Sequence, residues 1–118
     1  MIKKNVTTQG VVLLKDGDST VASIGAELCN DRSLLKVTLS GVLRTDVQPY
    51  LSIELQFYSE MDVPRVEVDC SKLTAVSPGC FGELLDLKIK QSEKSTIVSF
   101  TNKPECVCIM EKKMGKKL

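Results

Sequence analysis

The sequence contains no histidine and no tryptophan, and aromatic residues make up only 4% of its 118 residues. Without histidine the chain has no imidazole for acid–base catalysis, for a catalytic triad or for metal binding. The net charge is only +1, so no broad electrostatic attraction to nucleic acid or to a membrane surface is expected. No apolar run approaches the ~20 residues of a membrane span, which argues against stable membrane insertion. The basic start of the chain lacks the apolar segment of a signal peptide.

The five cysteines are an odd number, and most of them lie in segments with an apolar pattern. This usage is typical of reduced thiols in a cytoplasmic protein and not of a disulfide framework. Cys106 and Cys108 would project about 200° apart on a helix, so they do not form a pair of metal ligands. We therefore expect neither a metal site nor a cofactor.

What the chain does contain is a regular alternation of strands and helices. Residues 1–32 predict an antiparallel β-meander, in which the apolar runs Val11–Leu14 and Thr20–Leu28 flank an Asp-Gly-Asp turn. Residues 33–115 predict strands that alternate with helices, which implies crossover connections and a mixed sheet. The predicted fold class is α/β, a mixed β-sheet with helices packed mainly on one face. Residues 1–118 are expected to form one domain.

The centre of this pattern is a strand followed by a helix, between Val66 and Ile89. Ser77 is the predicted N-cap, because its hydroxyl can accept a bond from an N–H group of the first turn. Pro78 takes the first helical position, where its missing N–H costs nothing. The predicted buried face of this helix consists of Phe81, Leu84, Leu85 and Ile89.

The segment LTAVSPGCFGELLDL, which begins at Leu73, resembles the central segment of STAS domains. This is the fold of anti-sigma-factor antagonists and of sulphate-transporter tails. In that family a strand leads into aspartate-serine-serine-glycine-hydrophobic-glycine and an amphipathic helix. Gly79 stands where the family has its phosphoacceptor serine, and Arg44 stands where an acidic residue usually follows a glycine-containing bend. The resemblance covers residues 33–115 and implies a divergent STAS domain without the serine phospho-switch. Residues 1–32 would then add strands, and we expect Val11–Leu14 to cover an edge of the sheet.

The resemblance implies a non-enzymatic regulatory module that acts in bacterial signalling, in the cytoplasm, by protein–protein interaction. In antagonists of the family, the N-terminus of the second helix docks on a kinase-type anti-sigma factor. Ser77 is also a candidate phosphosite, since a phosphate there would meet free N–H groups of the helix, although a structural cap is the competing role. The predicted partner-binding residues are Arg44, Thr45, Asp46, Ser77, Pro78, Gly79, Cys80 and Phe81.

Two alternative functions stay open. The first is a STAS-like accessory subunit of a transporter ATPase, in which the same surface would bind the ATPase. The second is a thiol or redox protein that uses Cys80, because a cysteine in the first helical turn lies in a field that favours the thiolate. A homodimer is also open, whereas no nucleic-acid partner is expected. The lysines at the end of the chain are expected to form a solvated basic helix end.

Overall fold

The computed structural model describes residues 1–118 and contains one six-stranded sheet and three helices. The strands are neighbours in space in the same order as in the chain. The molecule measures 39 × 38 × 21 Å along its principal axes, and the short axis corresponds to one sheet layer and one helix layer. The strands are β1 (Ile2–Val6), β2 (Val12–Asp16), β3 (Ser19–Cys29), β4 (Leu34–Leu43), β5 (Arg65–Val76) and β6 (Ile97–Thr101). The helices are α1 (Gln48–Glu60), α2 (Pro78–Glu93) and α3 (Glu105–Met114).

β2, β3 and β4 form the antiparallel meander that the sequence predicted, and β1 adds a further antiparallel strand. Most of the run Val11–Leu14 belongs to β2, which pairs with β1 on one side and with β3 on the other. The prediction that this run enters the sheet is therefore confirmed. The sequence did not predict β1, because Ile2 is its only buried residue and no apolar alternation marks the strand. As a result β1, and not β2, forms the edge of the sheet.

The other half of the sheet is parallel. β4 pairs with β5, and β5 with β6, because α1 and α2 each return the chain to the starting end of the sheet. Leu35, Val37 and Leu39 point into the core and are buried, whereas Lys36 between them is exposed. The helices cover the apolar face, and the polar face is open to solvent. The predicted mixed sheet with helices mainly on one face is confirmed.

Gly41 lies at a close approach between β3 and β4. Its φ is +88°, and a Cβ at this position would collide with the carbonyl oxygen of Val21 and lie 3.0 Å from the Cα of Ala22. The pairing with β5 shifts register directly after it. β4 continues beyond Gly41 to Leu43. Gly41 is therefore a bend within the strand that directs its last residues towards α1.

α2 begins at the predicted position, but its buried face differs from the predicted one. Leu84, Leu87 and Gln91 of α2 are buried against the core. Ile89 is 55% exposed, so its predicted burial is wrong. A helix has one buried stripe, and Ile89 lies on the opposite side from these residues. In α1, Leu51, Leu55 and Tyr58 are buried, while Ile53 and Phe57 are exposed. None of the three helices combines the length and the hydropathy that crossing a bilayer requires.

Candidate functional site

The parallel pairing of β4 and β5 brings the two segments of the predicted site together. Leu43 is the register partner of Val76, and the N–H of Ser77 donates to the carbonyl oxygen of Leu43 at 2.7 Å. The carboxyl ends of neighbouring parallel strands meet at one edge of a sheet. The bend after β4 therefore lies beside the first turn of α2. We call the accessible part of this region, residues 44–46 and 77–79, the β4/α2 surface.

Ser77 and Pro78 determine how α2 begins. Ser77 has an extended backbone, and its Oγ accepts a hydrogen bond from the N–H of Cys80 at 3.2 Å. Pro78 follows at the first helical position, as the sequence predicted. The N–H of Gly79 has no acceptor within the helix because of its place in the first turn. The β4/α2 surface thus offers the exposed ring of Pro78 and the half-buried hydroxyl of Ser77.

Gly79 is covered by a side chain from α1. The Gln48 amide donates from Nε2 to Oε1 of Glu83 at 3.3 Å, so that it bridges α1 and α2 across this glycine. A Cβ at position 79 would lie 2.8 Å from Cδ of Gln48 and would displace the amide. Gln48 therefore occupies the space that a side chain at position 79 would need. Sequence reasoning missed Gln48 and Glu83, since neither belongs to a motif and only the packing of α1 on α2 brings them together.

Cys80 and Phe81 lie beneath the β4/α2 surface and not on it. Both side chains are fully buried, and the Cys80 thiol donates to the carbonyl oxygen of Arg44 at 3.5 Å. A partner docking from outside would reach neither side chain. Burial raises the pKa of the Cys80 thiol, although the hydrogen bond with Ser77 opposes the shift. A reactive cysteine needs an accessible thiol with a lowered pKa, so the burial of Cys80 argues against the thiol alternative.

Arg44 is held by two carboxylates. Its Nε and Nη2 donate to the two carboxylate oxygens of Asp46 at 2.6 and 2.8 Å, and Nη2 also donates to Asp16 at 2.6 Å. The hydrogen bonds from Arg44 lower the pKa of both aspartates, and the carboxylates in turn raise the pKa of Arg44. Sequence reasoning found Arg44 and Asp46 but missed Asp16. Asp16 ends β2, and only the tertiary placement of that strand brings it to Arg44.

Carboxylates are the most numerous charged groups in the accessible part of this region. The carboxylates of Asp16, Asp46 and Glu83 face two cations, the Arg44 guanidinium and the N-terminal ammonium of Met1, which lies 3.1 Å from Oδ1 of Asp16. Thr45 and Pro78 are exposed beside them. The carboxylates can accept hydrogen bonds and attract cationic side chains, and this arrangement is suited to binding a partner.

A depression lies on the polar face of the sheet, away from the β4/α2 surface. It has a volume of about 610 Å³, and its lining includes Lys36, Thr38 and Lys72. Ser23 and Ser40 share a hydrogen bond of 2.7 Å across neighbouring strands in its floor. Because the depression is open and carries charges of both signs, it corresponds to the solvated face of a one-sided sheet.

Comparisons by sequence and by structure give different results. No family model matches the sequence, and no curated protein matches it. Among solved structures, an anti-sigma-factor antagonist STAS domain from Rhodobacter sphaeroides aligns with a TM-score of 0.62 and 16% identity, over 70% of this chain and 87% of that chain. The anti-sigma-factor antagonist SpoIIAA in its unphosphorylated form aligns with a TM-score of 0.67 and 13% identity, over 78% and 80% of the two chains.

An anti-sigma-factor antagonist from Mycobacterium paratuberculosis gives a TM-score of 0.63 at 14% identity, over 78% of each chain. Similarity at such low identity is evidence of a common fold. The resemblance that the sequence showed around Ser77–Gly82 is therefore confirmed at the level of architecture: this chain has the fold of STAS-domain anti-sigma-factor antagonists.

Proposed function

We propose that this chain is a non-enzymatic regulatory module that binds a protein partner through the β4/α2 surface. The observation that carries the proposal is the fold shared with three anti-sigma-factor antagonists. Fold alone does not define function, so the proposal depends equally on the local geometry. Two chain segments converge on one edge of the sheet, and they leave Thr45, Asp46 and Pro78 exposed there. We propose a kinase-type anti-sigma factor as the class of partner.

The charges of the surface support a partner with basic or N–H donor groups. The side chain of Asp46 is 49% exposed although it binds Arg44. Glu83 accepts one hydrogen bond from Gln48, which leaves capacity on its carboxylate for a further donor. The partner would place cationic side chains against these acids, and complementary charges of this kind raise association rates and select the correct partner.

We further propose that binding is not controlled by phosphorylation at position 79. Gly79 has no hydroxyl, and the Gln48 amide fills the space beside it. Partner binding would then be constitutive or controlled at another residue. Ser77 stays the candidate phosphosite, and phosphorylation there would replace the hydroxyl that now caps α2. A mass increase of one phosphate group, mapped to Ser77 in protein from its native cells, is the test of that modification.

The decisive experiment adds a charge at the centre of the surface. Wild-type protein and Gly79→Asp are used for affinity capture from native lysate, and the captured partner is then purified and titrated calorimetrically. Gly79→Ala is the steric control, because it displaces Gln48 without adding charge. Ser99→Asp is the charge control, because Ser99 is exposed on β6. We expect Gly79→Asp to weaken binding by at least about tenfold and both controls by less than about threefold.

Equal affinity of all four proteins for the partner would refute the proposed surface. The identity of the partner decides between the remaining functions, because a sigma-regulating kinase supports the proposal and a transporter ATPase supports the accessory-subunit alternative. We also propose a cytoplasmic location. All five cysteines are free in the structure, as is usual for reduced thiols in that compartment.

A further inference from the structure

β6 is an edge strand without the features that protect an edge. It has β5 on one side and no neighbour on the other. Residues 96–102 contain no charged residue, no proline and no glycine, and the pairing of β6 with β5 has no bulge. Proteins usually protect an open edge with such features, because its free backbone groups recruit another strand. β6 is therefore open to pairing with a further strand.

The opposite edge of the sheet is protected. β1 carries the exposed Lys3 and Lys4, and Nζ of Lys4 binds Glu54 at 3.0 Å. The Tyr50 hydroxyl donates to the carbonyl oxygen of Ile2 at 2.9 Å, which occupies one backbone acceptor of this strand. Lysines and covered backbone groups are the usual means of blocking an edge. The contrast makes β6 the edge at which an added strand would pair.

The hydrogen bonds to β5 determine which backbone groups of β6 are free. The N–H of Ile97 donates to the carbonyl oxygen of Pro64 at 3.0 Å. In a parallel ladder this bond sets the alternation, so Ile97, Ser99 and Thr101 direct their backbone groups to β5. The residues between them, 98 and 100, direct theirs outward. The edge therefore offers two N–H donors and two carbonyl acceptors.

One antiparallel register satisfies all four groups. Two residues that form a hydrogen-bonded antiparallel pair exchange two bonds. When Val98 is opposite Phe100 of another β6 strand, each strand uses both of its outward residues, and four bonds form. Pairing Val98 with its own copy, or Phe100 with its own copy, leaves the other outward residue opposite Thr96 or Asn102, which lie outside the strand. The four-bond register is symmetric about Ser99, so an identical strand supplies it.

The side chains match in the same register. Val98 and Phe100 pack against the hydrophobic core, so their contacts across the new pair would extend that core from one molecule to the next. On the open side of the sheet, Ile97 is 63% exposed and would face Thr101 of the second strand. A β-branched residue beside threonine is a favourable cross-strand neighbour.

The charges next to the strand do not oppose the pairing. Both flanking lysines are engaged within the chain, since Nζ of Lys94 donates to the carbonyl oxygen of Ser59 at 2.6 Å and Nζ of Lys103 binds Glu111 at 3.0 Å. Glu67 of β5 lies beside the centre of β6. Its copy would be three strand spacings away, or about 14 Å, which is longer than the ~8 Å Debye length at physiological salt.

We propose that β6 pairs antiparallel with β6 of a second copy of this chain, about a two-fold axis at Ser99. The two sheets then form one continuous sheet. Each molecule has one β6 edge, so association stops at a dimer. Four hydrogen bonds and a few side-chain pairs make a small interface, which implies a dissociation constant between about 10 μM and about 1 mM. The interface shares no residue with the β4/α2 surface, so it is independent of the proposed function.

Sedimentation velocity of the purified full chain tests the dimer, from about 10 μM to about 1 mM protein. The average mass should rise from 13.0 kDa towards twice that value and no further. Ser99→Asp should weaken dimerisation by at least about tenfold, because each carboxylate would face its own copy in a pair whose Cα atoms are about 4.5 Å apart. Asn5→Asp, which adds the same charge to an exposed position of β1, is the matched control and should dimerise as wild type.

Mixing opposite charges tests the register. Ser99→Asp and Ser99→Lys should each be monomeric where wild type dimerises. An equimolar mixture of the two should form a 1:1 dimer, since pairing about Ser99 places the opposite charges together. Amide hydrogen exchange of the wild-type chain, followed by NMR, gives a readout that needs no variant. The amides of Val98 and Phe100 should exchange rapidly in dilute protein and become protected in concentrated protein, whereas that of Ser99 should be protected in both.

Three results would each overturn the proposal. The first is wild-type protein that stays monomeric at every concentration. The second is a dimer that survives Ser99→Asp, or a mixture of the two Ser99 variants that does not combine. The third is a dimer in which the amides of Val98 and Phe100 stay unprotected, because another surface would then hold the two molecules together.

Discussion

Replacing Gly41 by alanine tests the account of how β4 reaches the functional surface. The φ of +88° is one source of strain, because a left-handed conformation costs a residue with a Cβ about 1–2 kcal/mol. The second source is steric. The new Cβ would collide with the backbone oxygen of Val21 and lie 3.0 Å from the Cα of Ala22, and both contacts are with backbone that cannot rotate away.

Relieving such a collision requires β3 and β4 to separate, and overpacking of this kind costs about 1–3 kcal/mol. The two sources together predict a loss of about 2–5 kcal/mol in the free energy of unfolding. That is a large part of the ~5–15 kcal/mol that stabilises a typical domain. The assay is urea unfolding followed by circular dichroism, with the free energy obtained by linear extrapolation.

Two further glycines separate the sources of strain. Gly115 has a φ of +67° with no atom near its Cβ position, so Gly115→Ala should cost only the conformational term of about 1–2 kcal/mol. Gly82 is helical with open space around it, so Gly82→Ala should stabilise the protein by about 0.5–1 kcal/mol. The reasoning is refuted if Gly41→Ala costs no more than Gly115→Ala, because the close approach of β3 and β4 would then have no energetic effect.

Three further predictions concern the β4/α2 surface and its supports. Ser77→Ala removes the cap of α2 and should lower the free energy of unfolding by about 1 kcal/mol in the same urea assay, whereas Ser77→Asp should restore most of the loss. In the native protein at neutral pH, iodoacetamide should modify the exposed Cys108 and leave the buried Cys80 intact until the chain unfolds. Peptide mass spectrometry can follow both modifications. Rapid labelling of Cys80 in the native protein would contradict its burial. Because Arg44 lowers the folded-state pKa of its two aspartates below the usual 3.8, their contribution to stability is present above that pH and is lost as the pH falls below it. The variant Arg44→Gln should therefore lose less stability than wild type between about pH 5 and pH 2, and equal acid sensitivity of the two proteins would contradict the pairing.

Local sequence signals determined the start of α2 and most of the elements, but not β1. The Ser-Pro step fixes the first turn because a hydroxyl acceptor and a residue without an N–H satisfy the helix end by themselves. The alternation in β4 likewise determined which side chains enter the core. These features depend on neighbours along the chain, so the sequence alone was sufficient for them. The resemblance around Ser77–Gly82 added the architecture, which the structural neighbours share.

Tertiary structure alone decided which residues meet and which are accessible. Asp16 reaches Arg44, and Gln48 covers Gly79, through packing between elements that are far apart in sequence. Cys80 has the local position of an activated cysteine, but the bend after β4 closes over it, and burial raises the pKa of its thiol. Phe57 is apolar, but the orientation of α1 leaves its side chain exposed. Burial and electrostatics depend on the layers that pack over a residue, and that information lies in the assembled fold and not in the local pattern of the chain.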